Sequence, residues 1–309
     1  MTAGAIDIGG TKIAVGLVGA DGTILEHRAC PSEPEKGFAD GMARVEAMLR
    51  DCLRARPGER LEGIGIGCTG PVDPTSGLLG PNNFLVSWEG FSPAAALSER
   101  FGVAAATEND ADAAALAETR WGAGRGALTC LYITVSTGIG GGLVAGGRLY
   151  RGVRGAHPEI GHHIIDPQAA SAPCFCGARG CWESLASGPA LALWYNQRRE
   201  AGPGAVTARE VCLLAQQGDS LARQAVEREA RYLGIGLANM VTLFTPDVIA
   251  LGGGVMESWS LFESMVVETI RTSCGLVPHE QVSIRRASLG AKTGLAGAGA
   301  VWFHRAQPA

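Results

Sequence analysis

Long hydrophobic runs are absent from this chain of 309 residues. No window of about 18 uninterrupted apolar residues occurs, so we expect no transmembrane helix. The amino terminus has no lysine or arginine ahead of an apolar core, and we expect no signal peptide. A net charge of −4 excludes a basic, nucleic-acid-binding surface over the whole protein. We therefore expect a cytoplasmic protein that has neither a membrane nor a nucleic acid as its partner.

Glycine, in contrast, is abundant. The chain has 45 glycines and 15 prolines but no Gly-X-Y repeat, which excludes collagen. The hydrophobic fraction of 46% and the charged fraction of 18% are typical of a folded chain, and the length is enough for about two domains. The glycines form short clusters, a distribution that favours tight turns and sites lined by backbone atoms.

The order of the predicted elements suggests a duplication. The patterns predict strands over 4–8, 13–18, 23–28, 63–68, 103–107, 131–135, 143–145, 148–150 and 248–251. They predict helices over 38–56, 110–121, 189–199 and 220–244. The strand–glycine–strand pattern at Gly9 occurs again at Gly140, which predicts a duplicated α/β domain whose two glycine turns face a shared cleft. We expect a small domain over 1–120, joined by 295–309, and a large domain over 121–294.

The glycine clusters after Asp7 and after Ser136 are candidate phosphate sites. Backbone N–H groups in a turn without Cβ atoms can approach an anion closely, and Thr11, Lys12 and Thr137 add hydroxyl and ammonium donors. Neither cluster is a Walker A loop, and neither opens a helix as a Rossmann fingerprint does. One such cluster alone would indicate an ordinary hairpin. Two clusters occur here in equivalent places, and a third, Gly252-Gly253-Gly254, follows another strand. Together they favour a nucleotide site.

Asp110 is the candidate general base. It is predicted to follow a strand and to begin a helix, the position where open α/β sheets bind ligands. The helix amino terminus is expected to favour the charged form of the carboxyl, which a base requires. Asn and Asp are also preferred helix caps, so from position alone a capping role fits Asp110 equally well.

The nine cysteines fall into two groups. Six are scattered and are interpreted as reduced, mostly buried side chains, because no secretion signal precedes them. The other three, Cys174, Cys176 and Cys181, stand close together in a glycine-rich loop. With a histidine they form a Cys₃His set, which is typical of structural zinc sites. The fourth ligand is one of three candidates: His157, His162 or His163.

Together these motifs resemble the ROK family (repressors, open reading frames, kinases) over essentially the whole chain. The motifs, in the order of the family, are Asp7-Ile8-Gly9-Gly10-Thr11-Lys12, Glu108-Asn109-Asp110-Ala111, Ser136-Thr137-Gly138-Ile139-Gly140-Gly141-Gly142, Glu159-Ile160-Gly161-His162, Cys174-Phe175-Cys176-Gly177-Ala178-Arg179-Gly180-Cys181-Trp182-Glu183 and Leu251-Gly252-Gly253-Gly254. The cysteine motif with its upstream Glu-x-Gly-His is the most specific of them.

The resemblance implies an actin-like, hexokinase-like α/β ATPase fold with two domains around a cleft and a zinc-binding loop. It implies ATP-dependent phosphorylation of a hexose at the 6-hydroxyl with Mg²⁺, and Asp110 would take the proton of that hydroxyl. The implied sugar ligands are Asn83, Asn109, Asp110, Glu159, His162 and Glu183. The implied zinc ligands are His162, Cys174, Cys176 and Cys181. The implied nucleotide site comprises Asp7, Gly9, Gly10, Thr11, Lys12, Thr137, Gly138, Gly140, Gly253 and Gly254. Asp7 could hold a metal-bound water or cap its own turn.

The resemblance orders the candidate sugars. The full cysteine motif and the stretch from Asn82 to Gly90 resemble the glucokinase and N-acetylhexosamine kinase branches, whereas His157-Pro158 resembles the fructokinase branch. We expect glucose first, then N-acetylmannosamine or N-acetylglucosamine, then fructose, and we expect a homodimer or homotetramer. Trp88 is interpreted as a core aromatic rather than a sugar platform. A sugar-responsive transcriptional regulator is the alternative from another class. We expect the kinase instead, because the family's regulators carry a DNA-binding domain ahead of the motif that here begins at Asp7.

Overall fold

The computed structural model describes residues 1–169, 172–200 and 204–306. Residues 307–309, the end of the segment predicted to join the small domain, lie outside the described residues. The strands are β1 (Thr2–Ile8), β2 (Lys12–Gly19), β3 (Ile24–Pro31), β4 (Leu61–Cys68), β5 (Ala105–Asn109), β6 (Thr129–Val135), β7 (Ile139–Ala145), β8 (Arg148–Leu149), β9 (Val248–Gly252) and β10 (Ser283–Arg286). The α-helices are α1 (Phe38–Ala55), α2 (Pro93–Phe101), α3 (Asp110–Trp121), α4 (Trp182–Ala186), α5 (Gly188–Asn196), α6 (Ala208–Gln217), α7 (Ser220–Phe244), α8 (Glu263–Ser273) and α9 (Thr293–Ala306).

The strands form two five-stranded mixed sheets, ordered β3-β2-β1-β4-β5 and β10-β9-β6-β7-β8. In the first sheet, β1 to β3 are antiparallel, while β1, β4 and β5 are parallel. In the second sheet, β7 and β8 are antiparallel and β9 and β10 are parallel. Because β6 to β10 take the places that β1 to β5 have in the first sheet, the strand order confirms the predicted duplication.

The described residues divide into two compact units. Of the described residues, the first unit comprises 1–132, 142–158 and 287–306, and the second comprises 133–141, 159–169, 172–200 and 204–286. No helix in the described ranges is both long and apolar enough to cross a membrane.

Side-chain alternation gives the first sheet two packed faces. On one face, Ile6 and Ile64 join a fully buried cluster that includes Met42 of α1. On the other face, Ala3 packs with Ala298 of α9. Small residues on the second face allow the helix to approach the sheet closely, whereas branched side chains fill the first.

Trp88 belongs to the same buried cluster as the branched side chains of β1 and β4. Its side chain is fully buried, and its ring is perpendicular to that of Phe38, with centroids 5.3 Å apart. The interpretation of Trp88 as a core aromatic is therefore confirmed.

The alternation of glycine with isoleucine in β4 has a packing cause. A Cβ atom at Gly65 would collide with the carbonyl oxygen of Ala298, and one at Gly63 would collide with the ring of Trp302. Because both contacts are with α9, glycine at these positions lets the helix lie directly on the strand.

Most of the predicted elements are confirmed, and α7 begins and ends at the predicted residues. The second glycine turn is shorter than predicted, because Gly140 to Gly142 belong to β7 and the turn comprises only Ser136 to Gly138. A Cβ atom at Gly142 would lie 2.8 Å from the Cβ of Ala115 in α3. This glycine therefore serves strand–helix packing. The sequence patterns missed α2, α4, α6, α8, α9 and β10.

Candidate active site and metal centre

The first glycine turn is a tight hairpin between β1 and β2. The Gly9 N–H donates to the carbonyl oxygen of Lys12 at 2.9 Å, which leaves a two-residue loop. Gly10 packs on Phe84, since a Cβ there would lie 2.9 Å from the Cβ of Phe84. Thr11 and Lys12 are exposed. The loop is thus fixed by packing from one side and presents its hydroxyl and ammonium groups to solvent, as a phosphate site requires.

Asp7 and Asp110 stand at the carboxyl ends of two strands of one sheet. β1 and β5 both run parallel to β4, so their carboxyl ends meet at the same edge. Burial raises the pKa of Asp7 to about 6, against the nearby charge of Lys12. Within the described residues, the Asp7 carboxylate accepts no hydrogen bond from its own turn. The alternative that Asp7 caps this turn is therefore wrong.

The pKa of Asp110 is raised to about 7, first by burial and then by the carboxyl of Asp7. The N–H of Ala111 lowers this pKa, as expected at a helix amino terminus, but one hydrogen bond does not outweigh desolvation and a like charge. The helix amino terminus therefore favours the charged form of Asp110, as expected, but burial and the carboxyl of Asp7 outweigh it. Asp110 is instead a carboxyl group that titrates near neutrality, which suits a general base.

Asn109, not Asp110, caps α3. Its Oδ1 accepts hydrogen bonds from the N–H groups of Ala111 at 2.8 Å and Asp112 at 3.3 Å. Its Nδ2 donates to the carbonyl oxygen of Gly70 at 3.2 Å. The capping interpretation of Asp110 is therefore wrong. The role of Asn109 in sugar binding stays a prediction, and its amide is held rigidly beside Asp110.

Of the two neighbouring asparagines, Asn82 is the one fixed by the fold. Its Oδ1 accepts hydrogen bonds from the N–H groups of Phe84 at 2.9 Å and Leu85 at 2.7 Å. It packs on Gly70, the residue whose carbonyl holds Asn109. Asn83 is exposed, and its place in the sugar site stays a prediction. The sequence signal that could have shown this fixed position is the tendency of Asn to form an Asx turn, in which its side chain bonds to the backbone that follows.

A buried ion network supports the first turn of α3, and sequence patterns did not reveal it. Asp112 is fully buried and forms an ion pair with Arg151, which also pairs with Glu108. Nδ1 of His157 lies 2.9 Å from Oδ2 of Asp112. His157 also lowers the pKa of Asp110, against the larger effects of burial and Asp7. The network therefore acts electrostatically on the candidate base.

In the second unit, Glu183 lies against the second glycine turn. The N–H of Ile139 donates to Oε2 of Glu183 at 2.8 Å, and the Ser136 N–H donates to the Gly138 carbonyl at 2.9 Å. A Cβ atom at Gly138 would collide with the Glu183 carboxylate. The structure therefore joins a predicted sugar ligand to a predicted phosphate turn.

Glu159 and His162 belong to the same part of the second unit. Oε2 of Glu159 lies 4.0 Å from Nε2 of His162, and Glu159 is exposed. Between them, Gly161 packs so closely on Ile139 that a Cβ atom would collide with the Ile139 carbonyl. Because Glu183 also contacts Ile139, the start of β7 brings these three predicted sugar ligands together.

The four predicted metal ligands form one cluster. The ligand atoms of His162, Cys174, Cys176 and Cys181 all lie within 4.8 Å of one another. Nδ1 of His162 is 3.3 Å from the Cys174 sulfur, and the Cys176 and Cys181 sulfurs are 3.7 Å apart. Tetrahedral zinc with Zn–S bonds of about 2.3 Å needs ligands about 3.8 Å apart. The cluster thus fits a tetrahedral metal.

The structure also decides between the three candidate histidines. His163 is held at Nδ1 by the Ile160 carbonyl at 2.6 Å and contacts Asn239 at 3.2 Å through Nε2. His157 pairs with Asp112. Only His162 of the three is in the cysteine cluster, so of the alternatives left open by the spacing, His162 is the one that fits.

A cavity of about 520 Å³ in the second unit lies beside Thr137 and Gly254. The starts of α5 and α6 form other walls, with Gly188, Arg209 and Cys212. Its volume is in the range of small-molecule sites. Sequence reasoning missed α6, although Thr207 and Glu210 form a capping box, which is a recognisable helix start.

Gly253 packs on the second sheet and precedes Gly254, which lines this cavity. Its φ is +90°, and a Cβ atom there would collide with the backbone of Val135 in β6. Glycine at this position lets β9 end directly against β6, at the edge of the cavity that Gly254 lines.

Known proteins resemble the chain over its whole length. The sequence model of the ROK family matches residues 3–305. A glucokinase of Streptomyces coelicolor is 34% identical over 316 residues, which covers 95% of each chain. An N-acetylmannosamine kinase of Escherichia coli O9:H4 (strain HS) is 37% identical over 257 residues, covering 82% of this chain and 84% of that one. The solved ROK family glucokinase of Streptomyces griseus, in complex with glucose and AMPPNP, has a TM-score of 0.82 at 31% identity and covers 99% of this chain and 100% of that one.

The chain belongs to the ROK family. Within that family it is an ATP-dependent sugar kinase. The family resemblance and the hexokinase-like α/β fold predicted from the sequence are both confirmed.

Proposed function

We propose that the chain is a glucokinase, which transfers the γ-phosphoryl group of ATP to the 6-hydroxyl of glucose. The observation that carries this proposal is the pair of Asp7 and Asp110 at the edge of the first sheet, with the pKa of Asp110 at about 7. Glucokinases that are 31–34% identical to the chain support glucose as the acceptor.

Asp110 is the proposed base in this reaction. A carboxyl with a pKa near the working pH is a stronger base than an ordinary aspartate and is still ionised in a large fraction of molecules. It takes the proton of the attacking hydroxyl, while Lys12 and the turns at Gly9, Gly10, Thr11 and at Thr137, Gly138 hold the phosphates. Gly140 belongs to the same proposal and lies in β7, directly after the turn.

Asp7 is the proposed metal-binding residue. A carboxylate oxygen is the kind of ligand that Mg²⁺ prefers. Asp7 fits this role because, among the residues that the structure describes, no group donates a hydrogen bond to its carboxylate. Bound Mg²⁺ supplies charge neutralisation on the phosphates. Asp7 would hold the ion through water, at the strand edge that also positions Asp110.

The proposed sugar ligands are Asn83, Asn109, Glu159, His162 and Glu183. Carboxylate, amide and imidazole groups can each pair with a ring hydroxyl. Sites of this type reject an analogue that lacks a hydroxyl, because the protein group is then left unpaired. The adenosine moiety of ATP is proposed to enter the cavity beside Thr137, Gly253 and Gly254.

Zinc is the proposed ion of the cysteine cluster, because three thiols and an imidazole are a donor set that it prefers. All four positions of a tetrahedral ion would be filled by protein, so the site is structural. Such an ion would fix His162 through Nδ1 and leave Nε2 directed to Glu159, which orients both groups for the sugar.

An ADP-release assay over glucose, mannose, fructose, N-acetylglucosamine and N-acetylmannosamine tests the proposal. We expect glucose to have the highest kcat/KM. Fructose at least tenfold better than every aldohexose would contradict it. N-acetylmannosamine is the second candidate, favoured by a kinase of that name at 37% identity. The proposal includes a cytoplasmic location, supported by nine cysteines of which none forms a disulfide, and a homodimer or homotetramer, which light scattering can test.

A further inference from the structure

A second cavity in the second unit, of about 430 Å³, has no role in the site described above. It lies between α5, α7 and the two ends of the cysteine loop. The side chains that matter to the argument are Asp166, Trp194, Gln197, Arg198, Arg228 and Tyr232. A cavity of this volume is large enough for a small metabolite.

Two guanidinium groups line this cavity without a carboxylate partner. Among the residues that the structure describes, neither Arg198 nor Arg228 forms an ion pair within 4.0 Å. Arg228 donates one hydrogen bond, to the Leu185 carbonyl at 2.9 Å. Burial lowers its pKa, the charges of Glu229 and Tyr232 raise it, and the charge of Arg198 lowers it, so the two cations repel each other. A half-buried cation with a like-charged neighbour is stabilised by an anion.

Aromatic rings orient both guanidinium groups. Arg198 lies over the ring of Trp194 at 4.3 Å, and Arg228 lies over the ring of Tyr232 at 4.8 Å. Stacking fixes the plane of a guanidinium and leaves its N–H edge for a bidentate contact. Planar forks of this kind match the oxygens of a phosphate group.

The rest of the lining suits the uncharged part of such a ligand. Gln197 offers an amide donor and acceptor. Asp166 accepts a hydrogen bond from the Tyr232 hydroxyl at 3.1 Å and keeps acceptor capacity for a ligand hydroxyl. A polyhydroxy body with one phosphate therefore fits better than a bare anion, which would leave these groups unused.

The cavity adjoins the loop that carries the metal ligands. The Asp166 N–H donates to the Gly180 carbonyl at 3.3 Å, and a Cβ at Gly180 would collide with the Asp166 carbonyl. Ser184 donates to the Ala172 carbonyl at 3.3 Å. Because Gly180 precedes Cys181, a ligand that moves Asp166 would act on the cysteine cluster directly.

We propose that this cavity is a binding site for a small sugar phosphate, the class of compound that a sugar kinase releases. The choice of a sugar phosphate rests on the proposed function, whereas the anion site itself rests on Arg198 and Arg228.

Isothermal titration calorimetry of the full-length protein with glucose 6-phosphate tests the proposal, with glucose and inorganic phosphate as separate arms. The variants are Arg198→Gln and Arg228→Gln, and the control is Arg231→Gln, exposed on the same helix. We expect glucose 6-phosphate to bind at least ~10-fold more weakly to both variants and unchanged to the control, since a charge-assisted pair to an anion is lost.

Equal affinity for glucose 6-phosphate in the unmodified protein, Arg198→Gln, Arg228→Gln and Arg231→Gln would overturn the proposal. Inorganic phosphate binding as tightly as glucose 6-phosphate, with the same dependence on the arginines, would also overturn it, because the sugar would contribute nothing. Arg198 is exposed and makes local contacts only, so its variant remains informative if Arg228→Gln does not fold. Glucose turnover, measured on the same proteins, reports separately on the proposed function, since binding in this cavity does not require catalysis.

Discussion

Oε2 of Glu183 accepts a hydrogen bond from the N–H of Ile139 at 2.8 Å, directly beside Gly138. Glu183 follows the last cysteine of the metal cluster, and Gly138 belongs to the second glycine turn. One carboxylate therefore connects the metal loop to the turn proposed to hold phosphate. A change on either side of this contact should affect both substrates.

Gly138→Ala should weaken sugar and ATP together. Its Cβ would collide with the Glu183 carboxylate, which has to move away from Ile139. We expect kcat/KM for both substrates to fall at least ~10-fold, because small displacements of positioning groups are costly. Steady-state kinetics check this. The matched control is Gly275→Ala, where a Cβ meets nothing within 4 Å. A loss confined to one substrate would show that the contact does not couple them.

Asp110→Asn should leave sugar binding nearly intact and lower kcat at least ~10²-fold, the low end for loss of a general base. Turnover and calorimetric sugar titration measure the two effects, with the exposed Asp51→Asn as the control. Near-normal kcat in Asp110→Asn would exclude Asp110 as the base.

The same variant should be more stable than the parent at pH 8. The pKa of Asp110 is about 7 in the folded protein, above its ordinary value of about 3.9 when unfolded. Because the folded state binds the proton of Asp110 more tightly than the unfolded state, protonation stabilises the fold. This contribution to the free energy of unfolding is fully present below pH ~4 and is lost as the pH rises through ~7. Asparagine does not titrate, so the gain at pH 8 should reach ~1 kcal/mol or more and vanish near pH 4. Urea unfolding at both pH values measures it.

The value of kcat/KM should rise as the pH increases through about 7, the pKa of Asp110, because Asp110 must be ionised to act as the base. Burial and Asp7 raise the pKa of Asp110, and His157 lowers it. His157→Gln should therefore move the acidic limb of kcat/KM to higher pH, with the exposed His27→Gln unchanged. A limb that stays in place, or moves to lower pH, would contradict the electrostatic role of His157.

Purified protein should contain about one zinc per chain, and Cys176→Ser should lose metal and sugar affinity together. The physical reason is that the cluster orients His162, whose other nitrogen lies toward Glu159. Elemental analysis and sugar titration measure both, with Cys30→Ser as a control outside the cluster. Protein prepared without chelators that contains no zinc would refute the assignment, as would a metal-free variant with normal sugar affinity.

The sequence by itself determined the local features of the protein. The hairpin at Gly9, the limits of α7 and the Cys₃His set depend on turn residues, periodicity and ligand spacing, all of which lie within short segments. The duplicated order of strands was visible for the same reason, since each glycine turn marks its own pair of strands.

Only the tertiary structure decided the properties that arise between distant segments. It identified Asn109 as the helix cap and the pairing of His157 with Asp112. It also placed in the cysteine cluster the histidine that the family resemblance had implied, His162, where residue spacing alone left three candidates. It also set the pKa of Asp110 at about 7, because burial and the carboxyl of Asp7, on another strand, outweigh the effect of the helix amino terminus. Desolvation and like-charge repulsion depend on which groups the fold brings together, and no local pattern around Asp110 records them.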